Sequence, residues 1–89
     1  MYDPNHLPDE PIWESHTANG LYTIDKVLET PSNSEENAAE MFMVNRTSVR
    51  ARNSVHEVRY YRTEALAIAA ANQHDKTGAW SSEGEILVA

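Results

Sequence analysis

The chain has 89 residues, a net charge of −7 and no cysteine. Its length predicts a single domain with a modest core, and the lack of cysteine excludes disulfides, thiolate metal ligands and a cysteine nucleophile. The N-terminal residues lack the basic start and apolar core of a signal peptide, and no apolar run approaches the roughly 20 residues of a transmembrane helix. The composition therefore predicts a soluble, cytoplasmic protein without a membrane partner.

The composition along the chain predicts its organisation. Residues 1–11 contain three prolines among polar neighbours, which is typical of a flexible, proline-rich leader. Residues 12–80 hold the patterned segments and are predicted to form one α+β domain. Residues 81–89 include the apolar run Ile86–Val88, and we expect a C-terminal tail or an edge strand there.

The first patterned segment contains Asn19-Gly20, a strong hairpin signal because a type I′ turn needs positive φ at both central residues. A two-residue loop at this dipeptide predicts that Ser15 lies opposite Ile24. Strand alternation then places the apolar residues on one side, which we expect to be the core side. That side carries Trp13, Ser15, Thr17, Tyr22, Ile24 and Leu28.

Residues 30–44 give mixed signals. Ser34 can cap a helix, acidic residues follow it, and Ala38-Ala39 favours helix. The apolar run Met41–Val44 comes next, and periodicity does not decide between helix and strand for it. We expect a short helical turn that leads into a strand.

A second hairpin is predicted at residues 45–62, with its loop at Asn53-Ser54. This register sets Arg50 opposite Glu57 and predicts one semi-apolar face and one solvent-facing face. The semi-apolar face carries Thr47, Val49, Ala51, His56, Val58 and Tyr60. The solvent-facing face carries Arg46, Ser48, Arg50, Arg52, Val55, Glu57, Arg59 and Tyr61.

The C-terminal third has clear helix signals. Thr63 can cap a helix that runs from Glu64 to about Lys76, and Gly78 can end it. Alanine-rich residues let this helix lie close to a sheet, with Leu66 and Ile68 as larger anchors, and Trp80 is expected to close one edge of the core. The sequence therefore predicts an α+β fold in which a small antiparallel sheet of two hairpins packs against one main C-terminal helix.

Charge distribution points to a candidate binding surface. The first 40 residues carry nine acids and one base, whereas residues 41–62 carry five bases and one acid, so a mixed-charge surface is predicted. The arginines can contact a partner, and an exposed Tyr61 beside them can stack on a nucleic-acid base. Alternatively they balance carboxylates of this chain, such as Glu57. The predicted partner-binding residues are Arg46, Arg50, Arg52, Arg59, Tyr61, Glu35, Glu36 and Glu40.

Three polar residues of the first hairpin are candidate metal ligands. On the predicted register Glu14 faces Asp25, and a divalent cation with His16 as third ligand would relieve their repulsion. The simpler interpretation is that the carboxylates point into water. His74, near the end of the predicted helix, is interpreted as a favourable contact with the helix dipole. No metal, cofactor or catalytic residue is predicted.

The leading functional hypothesis is a non-enzymatic protein-binding module that acts through its mixed-charge surface. A small inhibitor or a viral accessory protein, of the type found in phages and mobile elements, has this size and composition. The second hypothesis is a nucleic-acid or phosphate-ligand binder that uses the arginine-rich sheet face, and a homodimer is a further option. An enzyme ranks last, because no nucleophile and base occur at a suggestive spacing.

Overall fold

A computed structural model describes residues 10–32, 38–50 and 53–88 of the chain. These residues form one antiparallel sheet in the order β1-β2-β3-β4, with a helix after the last strand. The elements are β1 (Trp13–Thr17), β2 (Gly20–Glu29), β3 (Ala39–Arg50), β4 (Asn53–Tyr61) and α1 (Glu64–Thr77). The predicted α+β fold, an antiparallel sheet packed on one C-terminal helix, is confirmed. None of the helical residues described forms a segment long and apolar enough to cross a membrane.

Helix α1 begins and ends where the sequence predicts. The Thr63 hydroxyl accepts a hydrogen bond from the backbone N–H of Leu66 at 3.1 Å, which satisfies one unpaired donor of the first turn. Gly78 ends the helix with φ 77° and donates its N–H to the carbonyl of His74 at 2.8 Å. A left-handed residue at this position favours glycine because it has no Cβ.

The core lies between α1 and one face of the sheet. The helix contributes small side chains, so its backbone approaches the strands closely, and Leu66, Ile68 and Trp80 pack against the core edge as predicted. The buried cluster consists of Tyr22, Ile24, Val44, Tyr61, Ala67, Ala70 and Ala71.

The predicted register of the first hairpin is wrong by two residues. Thr17 pairs with Gly20, so the loop is Ala18-Asn19, and Trp13 rather than Ser15 lies opposite Ile24. Gly20 belongs to the strand because β3 passes very close to it: a Cβ there would lie 2.6 Å from the carbonyl oxygen of Thr47. A shift of two residues preserves the faces, because side chains alternate with period two.

The predicted core side of this hairpin is therefore largely retained. Tyr22 and Ile24 are buried, and Trp13, Ser15 and Thr17 are half-buried. Leu28 is the exception, with 66% of its surface exposed. It pairs with Glu40 at the end of the sheet, past the strand positions that form the buried cluster.

The predicted helical turn before β3 does not extend over Ala38-Ala39, and the strand that it was expected to lead into is present. Residues 39–44 are part of a long strand, and Ala38 is not helical, while Ser34, Glu35 and Glu36 lie outside the described residues. Met41 and Val44 are completely buried in this central strand. Pairing with strands on both sides outweighs the modest helix preference of the two alanines.

The second hairpin has a register four residues from the prediction. Arg46, not Arg50, lies opposite Glu57, and Arg50 pairs with Asn53, while Ala51 and Arg52 lie outside the described residues. The residues predicted for the semi-apolar face and those predicted for the solvent-facing face still lie on separate faces of the sheet. The buried face is the other one, however, because the face predicted to meet solvent carries Tyr61, which is completely buried.

The inversion follows from the continuity of the sheet. Val44 pairs with Ile24, so the side of β3 that carries Val44 and Arg46 faces the helix. The sequence pattern does not decide between helix and strand for Val44, so this apolar residue gives no sign of which face of the second hairpin is buried.

The C-terminal residues form short bridges to the sheet. Arg62 donates its N–H to the carbonyl of Gly84 at 2.9 Å, and Ile86 donates to the carbonyl of Tyr60 at 2.8 Å. Further along, Val88 forms an isolated bridge with Pro31. The segment therefore contacts the outer edge of β4 and then the end of β2 through isolated bridges.

Candidate functional site

A group of polar side chains lies beneath the C-terminal half of α1. The hydroxyl of Tyr22 and Nδ1 of His74 are 2.8 Å apart, and the His74 ring stacks on Trp80 with centroids 4.2 Å apart. His74 is only 6% exposed, so it is a core residue. The predicted contact with the helix dipole did not anticipate this burial. A sequence signal existed: His74 lies three and seven residues after Ala71 and Ala67, on the same face of the helix.

Glu57 connects this group to the arginines. Its carboxylate accepts hydrogen bonds from Arg46 at 2.5 Å and from the indole N–H of Trp80 at 3.2 Å, and it lies 3.9 Å from Nε2 of His74. Burial opposes ionisation of Glu57, but the bonds from Trp80 and Arg46 outweigh it, so the pKa of this carboxyl lies below its usual value. Burial, with the nearby Arg46 charge, lowers the pKa of His74.

Arg59 is also held by groups of its own chain. Its guanidinium lies 5.6 Å from the centroid of the Trp80 ring, donates to the Val58 carbonyl at 2.8 Å, and lies 3.8 Å from the Glu85 carboxylate. Arg46 likewise donates to the carbonyl of Asn19 at 3.0 Å. These two arginines balance carboxylates of this chain, which is the alternative that the sequence left open.

The remaining predicted partner-binding residues are dispersed. Tyr61 was predicted to be exposed, but it is buried and its hydroxyl donates a hydrogen bond to the Ser81 carbonyl at 2.7 Å. The prediction that its ring stacks on a nucleic-acid base is therefore wrong. Glu40 is exposed and pairs with Lys26 at 3.0 Å, and Arg50 ends β3. Glu35, Glu36 and Arg52 lie outside the described residues. A partner-binding role for the set stays a prediction.

The helix end is tied to the β1–β2 loop by Asp75. Its carboxylate accepts a hydrogen bond from the Thr17 hydroxyl at 2.7 Å and another from the Asn19 amide at 2.9 Å. These two bonds lower the pKa of Asp75. Throughout the described residues, every buried side-chain nitrogen or oxygen has a partner. The polar group beneath the helix therefore leaves no unpaired side chain directed at a ligand.

The predicted juxtaposition of Glu14 and Asp25 is wrong. Glu14 pairs with Thr23, and Asp25 lies beside Met43 of β3. In the described part of the chain, no three histidine or carboxylate side chains are grouped so that they could hold a metal ion.

The second face of the sheet, opposite the helix, is called the open face here. Strand alternation and the observed registers assign its residues. Its acidic side chains are Glu14, Asp25 and Glu29. Its larger apolar or aromatic side chains are Leu21, Val27, Met41, Met43, Val58 and Tyr60. All of these except the exposed Glu14 and the buried Met41 are half-buried, and no lysine or arginine occurs among the described side chains of this face.

A shallow groove of about 370 Å³ borders the open face where β4 meets the C-terminal segment. Val58 and Tyr60 line it from the strand, and the run Ile86–Val88 lines it from the other side. Arg59 and Glu85 complete the lining. The groove thus combines apolar walls with an ion pair at its rim.

Comparisons with protein-family models, with curated proteins and with solved structures found no match for this chain. A function therefore has to be inferred from the geometry of the chain itself.

Proposed function

We propose that this chain is a non-enzymatic protein-binding module and that the open face of the sheet is its docking surface. The observation that carries the proposal is that α1 covers one face of the sheet, while apolar side chains such as Val27, Met43 and Val58 remain half-exposed on the other. Partly exposed apolar side chains within a polar surround are typical of protein interaction sites.

The charge of the open face indicates the chemistry of the partner. Three carboxylates and no described lysine or arginine lie on it, within a chain of net charge −7. A partner with a basic, partly apolar surface fits this face, because complementary charge speeds encounter and excludes wrong partners. A second copy of the chain would bring like charge to the same face, which disfavours a homodimer formed through it.

The size of the face predicts the strength of the complex. Four strands at ordinary spacing give a face of roughly 15 by 30 Å. That is smaller than the roughly 800 Å² per partner of a stable interface. We therefore expect a transient complex, or one that uses an adjacent surface as well. The narrower hypothesis, a small cytoplasmic inhibitor or an accessory protein of the phage or mobile-element type, is compatible with this mode of action and is supported by size and composition.

Affinity capture tests the proposal. The chain is tagged at its N-terminus, because the C-terminal segment lies on the sheet, and incubated with host lysate with and without nuclease. The double variant Glu14→Lys/Glu29→Lys reverses charge on the open face. The matched control Glu64→Lys/Glu83→Lys makes the same charge change at exposed positions of the helix start and the C-terminal segment.

We expect a near-stoichiometric protein that survives nuclease, is retained by the control and is lost with the open-face variant. Equal retention by both variants would contradict the open face as the docking surface. Capture of nucleic acid, with proteins lost after nuclease, would favour the alternative hypothesis of a nucleic-acid or phosphate-ligand binder.

A further inference from the structure

The outer edge of β4 is partly covered by the chain's own C-terminal segment. Gly84 and Ile86 form backbone hydrogen bonds with Arg62 and Tyr60, at 2.9 and 2.8 Å. The segment then leaves the strand, since Leu87 accepts from the backbone N–H of Ser32. The outer edge of β4 is therefore paired with an extended chain near Tyr60 and Arg62, at the C-terminal end of the strand. The C-terminal segment does not continue along the earlier residues of β4.

Two carbonyl groups show which backbone positions point outward. The Tyr60 carbonyl accepts from Ile86 and the Val58 carbonyl accepts from the Arg59 guanidinium, both from outside the β3–β4 ladder. Outward positions alternate along an antiparallel strand, so the N–H and C=O groups of His56 and Ser54 point outward too. In the described part of the chain no protein group bonds to them from that side, and residues 53–56 are exposed.

The part of this edge that the C-terminal segment leaves uncovered has few of the features that protect edge strands from pairing. Natural edges are commonly short, or carry lysine, proline or a bulge. β4 has nine residues without lysine or proline, and its charged side chains, Glu57 and Arg59, are held by other groups of the chain. The opposite edge strand, β1, has only five residues, so β4 offers the longer template.

We propose that the outer edge of β4, from Ser54 to the backbone N–H of Val58, pairs with an extended segment of the partner, which adds a strand to the sheet; the Val58 carbonyl is already bonded by Arg59. This inference rests on the proposed function and names its binding mode. Every second side chain of the segment is apolar, because it lies beside the groove lined by Val58, Tyr60 and Ile86. The side chains between them are polar and uncharged, because residues 41–62 around this edge carry five bases and one acid, whereas the chain as a whole is acidic. Main-chain hydrogen bonds supply affinity and the groove supplies specificity in this mode.

The first test uses a defined probe, the blocked hexapeptide Thr-Val-Thr-Val-Thr-Val, and amide chemical shifts of the labelled protein. We expect shifts and slower amide hydrogen exchange at Ser54, His56 and Val58. A peptide N-methylated at every residue, which has no backbone N–H donor on either edge, is expected to bind at least about tenfold more weakly. Equal binding of the two peptides, or shifts confined to the open face at residues such as Thr23, would overturn strand addition.

Variants separate the backbone from the side chain. His56→Pro removes an outward N–H, whereas the matched control His56→Ala removes the side chain and keeps that donor. We expect His56→Ala to bind the probe like the wild type and His56→Pro to lose about tenfold in affinity. Ser54→Pro, nearer the hairpin loop, provides a second variant if His56→Pro does not fold. Unchanged affinity in the folded proline variant would contradict the proposal.

The captured partner distinguishes this inference from the proposed function. Loss of the partner with both His56→Pro and Glu14→Lys/Glu29→Lys supports both. Retention by His56→Pro with loss by the open-face variant rejects strand addition and leaves the open face as the docking surface. Retention by both variants rejects both proposals.

Discussion

The hydroxyl of Tyr22 lies 2.8 Å from Nδ1 of His74, across 52 positions of the sequence. This contact joins the second strand to the last turns of the helix. His74 is 6% exposed and Tyr22 only 1%, so each group depends on the other to satisfy its polar atom away from water. The pair therefore fixes how the end of α1 lies on the sheet.

Tyr22→Phe is expected to lower the free energy of unfolding by about 1–3 kcal/mol, because it leaves the buried Nδ1 of His74 without its partner. Urea unfolding followed by circular dichroism measures the change. Tyr60→Phe, at a half-buried tyrosine of the open face, is the control and should cost less than about 0.5 kcal/mol. Equal losses in the two variants would show that the Tyr22–His74 bond adds nothing specific.

Stability is expected to fall as the pH is lowered below 6.5, the usual pKa of histidine. Burial and the Arg46 charge lower the pKa of His74 in the folded chain, so the unfolded chain binds this proton first. The stabilisation is present above pH 6.5 and is lost as the pH falls through the lowered folded value. Glu57 and Asp75, whose pKa values are also lowered, add a further loss at more acidic pH, below their own usual values.

Unfolding free energies measured between pH 7.5 and 5.5 test this dependence. His74→Gln should flatten the slope over that interval, because the residue that takes the proton is gone. Asn72→Gln, at an exposed position of the same helix that carries no titratable group, should leave the slope unchanged. A slope that persists in His74→Gln would assign the pH dependence to another group.

Gly20→Ala is expected to lower the free energy of unfolding by about 1–3 kcal/mol. The glycine has φ 129°, and a Cβ would lie 2.6 Å from the carbonyl oxygen of Thr47, so the change combines backbone strain with a steric clash against β3. Gly78→Ala is the comparison, because φ is 77° there but the added Cβ meets nothing within 4 Å. We expect the smaller cost of about 1 kcal/mol for it, measured by the same urea unfolding.

Asp75→Ala is expected to loosen the attachment of the β1–β2 loop to the helix. The variant removes the carboxylate that accepts from Thr17 and Asn19 but keeps the Asp75 carbonyl, which also accepts from the Asn19 amide at 2.8 Å. Amide hydrogen exchange at Asn19 and Gly20 should accelerate as the loop opens more often. Asn72→Ala, at an exposed position of the same helix, controls for loss of a polar side chain. Unchanged exchange at both loop amides would show that the strand pairing alone holds the loop.

The sequence determined the parts of the fold that depend on neighbouring residues. Thr63 and Gly78 predicted the two ends of α1 because capping is a contact within one turn of helix. The turn-forming residues of both hairpins predicted antiparallel strands, and alternation sorted the side chains into two faces, since both effects act over a few residues.

Only the tertiary structure decided which residues pair and which face is buried. The loop at Ala18-Asn19 depends on the close approach of Gly20 to Thr47 and on the bonds of Asn19 to Asp75. The burial of Tyr61 depends on β3 continuing from Ala39, so that Val44 meets Ile24 beneath the helix. The burial of His74 likewise depends on a distant residue, because the Tyr22 hydroxyl of β2 is the hydrogen-bond partner of its Nδ1. Each of these contacts joins residues far apart in the chain, and their combined burial and hydrogen bonding outweighed the local preferences that the sequence displays.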